Sequence, residues 1–174
     1  MRIPPRLHGA LRRAAEEAGL SLNAYCARKL TSPGAAVEGP AADIVTEATR
    51  QFGSELVGVL AFGSWARGEM TPESDVDVLV VLDADVPIVR SLYRPWDEHP
   101  LQWDGRSVQV HIVHPPDPDE IPTGFWAEAA MDGVVLFDRA FELSRRLAEV
   151  RRHIAEGALS RREVHGQPYW VAGG

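Results

Sequence analysis

Two short apolar segments in the middle of the chain constrain its fold more than any other feature. Glu55–Phe62 is mostly apolar and bounded by glycines, which predicts a buried strand. Ser74–Leu82 predicts a second strand, and it carries two carboxylates, Asp75 and Asp77, near its start. The first strand runs into Gly63, and Ser64–Gly68 predicts the first turn or two of a helix. A glycine therefore lies where the first predicted core strand ends, and two aspartates lie where the second begins.

Helical and strand patterns continue on both sides of these segments. The predicted helices are 5–18, 21–30 with Ser21 as N-cap, Ala41–Phe52, Phe125–Met131 and Phe141–Glu156. A third strand is predicted at Ser107–Val113, and a short strand or a helix continuation at Val134–Phe137. The tail, Arg161–Val171, is expected to form a small hairpin. Two prolines and two glycines make residues 33–40 a linker. The predicted organisation is a helical segment at 1–32, a domain at 41–140, and a C-terminal helix and tail at 141–174 that packs on it.

Gly63 and Ser64 stand where a strand gives way to a helix. Glycine lets the backbone approach a phosphate, and the free N–H groups of a helix start favour an anion. Asp75 and Asp77 are two residues apart, so on a strand both carboxylates share one face. Mg²⁺ suits such a pair, because it binds through one or two carboxylates plus substrate phosphates. The combination predicts a triphosphate between the Gly-Ser turn and the metal, whereas either half alone is usually a turn or a solvated strand end.

Gly63-Ser64, followed after ten residues by Asp75-Val76-Asp77, resembles the signature of the DNA polymerase β-like nucleotidyltransferase superfamily. The segments Ala66–Glu69 and Ser74-Asp75 resemble its small bacterial branch, and the resemblance covers roughly residues 41–140. It implies an α/β (α+β) nucleotidyltransferase fold, with a mixed sheet flanked by helices. It also implies Mg²⁺, a nucleoside triphosphate such as ATP, and transfer of a nucleoside monophosphate to an acceptor hydroxyl. The implied roles are nucleotide binding by Gly63, Ser64, Arg67 and Ser74, and metal binding and catalysis by Asp75 and Asp77.

The third carboxylate of that family lies on the next strand, and here the matching position is Gln109. An amide cannot take a proton at neutral pH and is a weaker metal ligand than a carboxylate. His111 shares a face with Gln109 and is a candidate base, although a strand histidine with a hydrogen-bond partner is the commoner explanation. Asp104 lies outside the strand and is a poorer candidate. Three readings stay open: an active enzyme with a changed third ligand, a nucleotide-binding protein without turnover, and an interaction module.

The N-terminal segment has a different character from the rest of the chain. Through residue 31 it holds six arginines and lysines and two glutamates, although the whole chain carries a net charge of −7. Arg2–His8 and Gly19–Tyr25 resemble the ribbon-helix-helix family of Arc- and MetJ-type repressors, closest to its antitoxin-like branch. The resemblance implies dimerisation and DNA contacts through Arg2, Arg6 and Ser21. Only three residues precede the proline pair, so the alternatives are a true start codon further upstream, a module for dimerisation alone, or a helical hairpin packed on the domain.

The remaining composition favours a cytoplasmic protein. Cys26 is the only cysteine, which excludes an intramolecular disulfide and a cysteine-based zinc site. The sequence contains no apolar run of about 18 residues or more, so no membrane span is predicted. The expected partners are a nucleotide, an unknown acceptor, DNA through the basic segment, a second copy of the chain, and a protein partner. The alternative function is a DNA-binding, antitoxin-like regulator with a weakened or inactive nucleotidyltransferase domain.

Overall fold

A computed structural model describes residues 5–17, 21–30, 39–71, 73–118, 120–164 and 167–172. The chain divides into two compact units, Met1–Ala36 and Val37–Gly174. The predicted linker lies outside the described residues except for Gly39 and Pro40, and these two begin a helix of the second unit. The finer domain boundaries stay predictions. In the described part of the chain, no helix is long and apolar enough to cross a membrane.

The described residues of the first unit form two helices, α1 at Pro5–Glu17 and α2 at Leu22–Leu30. The start of α2 follows from a local cap: the Ser21 hydroxyl accepts a hydrogen bond of 3.1 Å from the backbone N–H of Ala24. A side-chain acceptor at this position satisfies one of the free donors of the first turn. The capping role predicted for Ser21 is thus confirmed. The residues of the predicted reading strand, Met1 to Ile3, lie outside the described residues.

The described residues of the second unit form a five-stranded sheet, five α-helices and a hairpin. Its elements are α3 (Pro40–Phe52), β1 (Leu56–Phe62), α4 (Gly63–Arg67), β2 (Val76–Leu82), α5 (Arg94–Glu98), β3 (Gln102–Trp103), β4 (Arg106–Val113), α6 (Gly124–Asp132), β5 (Val134–Asp138), α7 (Glu142–Ala155), β6 (Leu159–Val164) and β7 (Gln167–Ala172). The segment 134–138 is a strand, which decides between the two predicted alternatives. The predicted C-terminal hairpin is confirmed as the β6–β7 pair.

The sheet order is β3-β4-β2-β1-β5. β1 pairs antiparallel with β2 and with β5, β2 pairs parallel with β4, and the short β3 pairs antiparallel with the start of β4. The sheet is therefore mixed and has helices on both faces, which confirms the predicted fold class. The parallel β2–β4 pair matters most for the site, because it places the predicted third position beside the aspartate strand.

Side chains of β1 and β2 are buried on both faces of the sheet. On one face, Val59, Val78 and Val80 pack with Ile44 and Phe52 of α3. On the other, Leu60 and Leu79 pack with Trp126 of α6 and Leu143 of α7. This two-sided burial explains why both strands read as almost continuous apolar runs. It also makes β1 and β2 a rigid support for whatever their ends carry.

Candidate active site

Gly63 forms the turn at the end of β1, and its geometry disfavours a residue with a side chain. Its φ is +73°, a left-handed conformation that favours glycine. A Cβ atom added there would lie 2.7 Å from Oδ2 of Asp77, well inside van der Waals contact. The absent side chain is therefore what lets the backbone turn and the Asp77 carboxylate come together.

Asp77 lies in β2, between the last residue of β1 and the middle of β4. Its register partners are Phe62 on one side and Gln109 on the other. Directly paired residues on neighbouring strands project to the same face of a sheet. The structure therefore brings Gln109, the predicted third position, next to Asp77. Gln109 is exposed, so its amide is open to solvent and to ligands.

His111 contacts the same aspartate. Its Nε2 lies 3.3 Å from Oδ1 of Asp77, and the two side chains are 39% and 34% exposed. The imidazole also stands edge-on to the ring of Phe62, with 6.0 Å between the ring centroids. Phe62 was not predicted as a site residue, since an apolar residue at a strand end carries no chemical signal in the sequence.

Asp75 and Ser74 occupy positions different from those expected. β2 begins at Val76 rather than at Ser74, because the preceding residues form a turn instead of extending the strand. The Ser74 hydroxyl accepts a hydrogen bond of 2.9 Å from the backbone N–H of Thr71. Arg106 donates to the carbonyl oxygens of Thr71, at 2.5 Å, and Ser74, at 3.2 Å. Asp75 is thus an exposed carboxylate just outside the strand. It follows the turn from Thr71 to Ser74, whose carbonyl oxygens accept the hydrogen bonds from Arg106.

Arg67, predicted to contact nucleotide, is paired with two carboxylates. Its guanidinium donates to Glu69 at 2.6 Å and to Glu128 at 2.7 Å, and its side chain is 18% exposed. Glu128 also accepts hydrogen bonds from Trp170 at 2.7 Å and Arg161 at 3.2 Å. These contacts link α4, α6 and the β6–β7 hairpin. The sequence gives no signal for the role of Glu128, which depends on elements distant in the chain. The contact between Arg67 and nucleotide stays a prediction.

The side-chain donors at and near Asp77 suit a magnesium site rather than a structural zinc site. Within the described ranges, no group of three or more histidine, cysteine or acidic side chains is placed to hold a metal ion. A closed site made by the protein alone, as structural zinc requires, is therefore not formed by these residues. Asp75, Asp77 and the Gln109 amide oxygen fit Mg²⁺, which takes few protein ligands and completes its shell with water and substrate phosphates.

The residues predicted to contact DNA belong to the first unit. Ser21 belongs to the first unit, and its hydroxyl caps α2. The side chains of Arg2 and Arg6 lie outside the described residues. Their roles in binding DNA stay predictions.

Comparison with known proteins gives two family matches and two similar solved structures. Residues 43–127 match the model of the nucleotidyltransferase domain family, and residues 1–30 match that of the HicB family. No curated protein matches the chain. Among solved structures, a toxin–antitoxin with AMP-PNP shares 16% identity, and a mutant of the toxin–antitoxin MntA-HpeT shares 14%. Each alignment covers 66% of this chain and 86% of the other, with TM-scores of 0.43 and 0.42. Residues 43–127, which contain the Gly63 turn, Asp75, Asp77 and Gln109, are thus similar to the nucleotidyltransferase domain family.

Proposed function

We propose that the second unit binds Mg²⁺ and a nucleoside triphosphate, ATP in the first instance, and transfers the nucleoside monophosphate to a hydroxyl group of an acceptor. The observation that carries this proposal is the contact between the Gly63 turn and the Asp77 carboxylate. A phosphate at the turn and a cation on the carboxylate would then be neighbours. The match of residues 43–127 to the nucleotidyltransferase domain supports the same reaction class.

Each residue has a defined part in the proposed reaction. The Gly63–Ser64 turn would orient the triphosphate, and Asp75 and Asp77 would hold Mg²⁺, which would offset phosphate charge. The acceptor oxygen forms a bond to the α-phosphorus, the bond to the β-phosphate oxygen breaks, and pyrophosphate leaves. His111 receives the hydroxyl proton, because Gln109 cannot accept one. The hydrogen bond to Asp77 orients the imidazole for that transfer.

A calorimetric titration with Mg²⁺ and a non-hydrolysable ATP analogue tests binding. The wild type is expected to bind, and Asp77→Asn is expected to bind far more weakly, because it removes a charge from the metal site. Asp85→Asn is the matched control, since it removes an exposed aspartate from the loop after β2. Equal heats for all three proteins, or none for the wild type, would contradict the proposal.

A second candidate function rests on the match of residues 1–30 to the HicB family. Together with the resemblance to ribbon-helix-helix repressors, it favours a DNA-binding regulator that dimerises through the first unit. The test is fluorescence anisotropy with duplex DNA at several salt concentrations, beside sedimentation of the free protein. A dimer with salt-sensitive DNA binding that Arg2→Ala with Arg6→Ala weakens would support it, since phosphate contacts release counterions. A monomer without DNA binding would eliminate it.

A further inference from the structure

A cavity of about 600 Å³ lies along the outer edge of β4. Tyr93, Trp96, Leu101 and Val108 give it aromatic and apolar walls, and Gln109 and His111 also line it. Its volume falls in the range of about 300–1,000 Å³ that is usual for small-molecule sites. The cavity therefore borders the candidate base and the third position of the proposed active site.

Alternate backbone groups of β4 point away from β2, toward the outer edge along which this cavity lies. Val108 donates its N–H to the carbonyl of Leu101 at 3.1 Å, away from β2. Backbone direction alternates along a strand, so Val110 and Ile112 face outward as well. The Tyr93 hydroxyl confirms the direction, since it accepts from the N–H of Ile112 at 3.1 Å and donates to its C=O at 3.3 Å.

The free part of this edge is only one residue long. β3 pairs with β4 only at Arg106 and Ser107, and within the described ranges no strand pairs with the outer edge at Val110. The Leu101 carbonyl closes the edge on one side and the Tyr93 hydroxyl closes it on the other. An added strand needs a row of alternating bonds, which this edge does not offer. Val110 instead presents a single N–H beside a single C=O.

The charges of the cavity favour an uncharged ligand. Arg90 and Asp97 line it and form an ion pair of 2.7 Å, so their charges offset each other. The Arg90 guanidinium also lies over the Tyr93 ring, 5.5 Å from its centroid. Neither a strongly anionic nor a strongly cationic molecule finds an unopposed countercharge from this pair.

We propose that this cavity binds the acceptor, and that the acceptor is a compact, uncharged, hydroxyl-bearing molecule with a donor beside an acceptor on one flat edge. That edge would pair with the N–H and C=O of Val110, as an amide or a lactam-type ring can. The assignment as acceptor rests on the proposed function. Gly63 follows β1, two strands away from β4 and about 10 Å across the sheet, so triphosphate and cavity ligand would approach Asp77 from opposite sides.

Uridine is a suitable probe, because its N3–H stands between two carbonyl groups and its ribose carries hydroxyls. 3-Methyluridine is the matched probe that lacks this donor. In nitrogen-15 NMR titrations of the full chain, uridine is expected to shift the Val110 amide saturably, and 3-methyluridine to bind about tenfold more weakly. Val110→Pro removes the outward N–H and should abolish uridine binding, since an edge strand tolerates proline there. Val110→Ala keeps the N–H and should retain binding.

A pentapeptide, acetyl-Val-Thr-Tyr-Thr-Val-amide, tests the closure of the edge. It should bind the wild type more weakly than uridine does, and Tyr93→Phe should strengthen its binding by freeing Ile112. Absence of uridine binding, equal binding of the two uridines, unchanged binding by Val110→Pro, or preference of the wild type for the peptide would each overturn the proposal. Calorimetry with Mg²⁺ and the ATP analogue is read separately, so a failure of the nucleotide site is distinguishable from a failure of the cavity.

Discussion

His111 Nε2 lies 3.3 Å from Oδ1 of Asp77, and so the candidate base and a candidate metal ligand share one hydrogen bond. The two residues are on parallel neighbouring strands, offset by two positions from direct pairing. A carboxylate partner fixes the orientation and tautomer of an imidazole, which is what a proton acceptor at a defined place needs.

His111→Gln is expected to slow transfer without weakening nucleotide binding. General-base catalysis typically contributes about 10²- to 10⁴-fold to a rate. The rate of pyrophosphate release should therefore decrease by a factor in that range. His114→Gln is the control, because the ring of His114 lies 2.7 Å from the carbonyl of Val86 rather than near Asp77. Equal rates for the two variants would exclude His111 as the base.

Gly63→Ala is expected to destroy nucleotide binding, because the new Cβ would lie 2.7 Å from the Asp77 carboxylate. Gly68→Ala provides the control: its φ is +75°, but a Cβ there meets nothing within 4 Å. Both variants should lose about 1–2 kcal/mol of stability from left-handed backbone, measured by denaturant unfolding. Only Gly63→Ala should lose the calorimetric signal of Mg²⁺ and nucleotide. If both variants lose that signal, backbone strain alone, and not the contact with Asp77, is responsible for the loss of binding.

Gln109→Glu is expected to strengthen Mg²⁺ binding and raise turnover. The new carboxylate would stand at the register partner of Asp77, where a metal ion can bridge the two charges. Without metal, the same two charges repel, so the variant should also gain more thermal stability from Mg²⁺ than the wild type gains. Gln102→Glu on β3 adds the same charge away from Asp77. If both variants bind Mg²⁺ equally, general electrostatics rather than ligation explains the gain.

Glu128→Gln is expected to loosen the C-terminal hairpin. The carboxylate is 15% exposed and accepts hydrogen bonds from Arg67, Arg161 and Trp170. Weakening hydrogen bonds to charged groups costs about 1–3 kcal/mol, which should appear in thermal unfolding. The indole N–H resonance of Trp170 should also exchange faster with solvent. Glu149→Gln, on the half-exposed pair with Arg146, should leave both measurements unchanged.

Stability in acid is expected to depend on the Asp83–Arg139 pair. The hydrogen bond from Arg139 holds the pKa of Asp83 below its ordinary value of 3.8. The pair therefore stabilises the fold above that pH, and its contribution is lost as the pH falls through the lower pKa of the folded state. Asp83→Asn should cost less than about 1 kcal/mol at pH 7, because both side chains are about a third exposed. The cost should shrink as the pH falls through the lowered pKa of Asp83 in the folded state, which denaturant unfolding of both proteins at a series of pH values would measure.

Local sequence determined much of this protein. The apolar runs of β1 and β2, the cap at Ser21 and the glycine turn at residue 63 depend on neighbours in the chain, so their patterns predicted them. The start of β2 was predicted two residues early, because Ser74 closes a turn with Thr71 before the strand, and Arg106, more than thirty residues away, adds hydrogen bonds to that turn. β3 was missed because a two-residue strand has no periodicity.

Tertiary structure decided how these parts combine. Parallel pairing of β2 with β4 requires a long crossover, and nothing local in either strand specifies the register that puts Gln109 beside Asp77. The same pairing brings His111 to the carboxylate, and the chain between the two strands supplies Tyr93 and Leu101, which close the edge around Val110. Glu128 meets Arg67 only when α6 packs beside α4. The sequence by itself thus determined which groups could do chemistry, while long-range strand pairing and helix packing decided which of them meet.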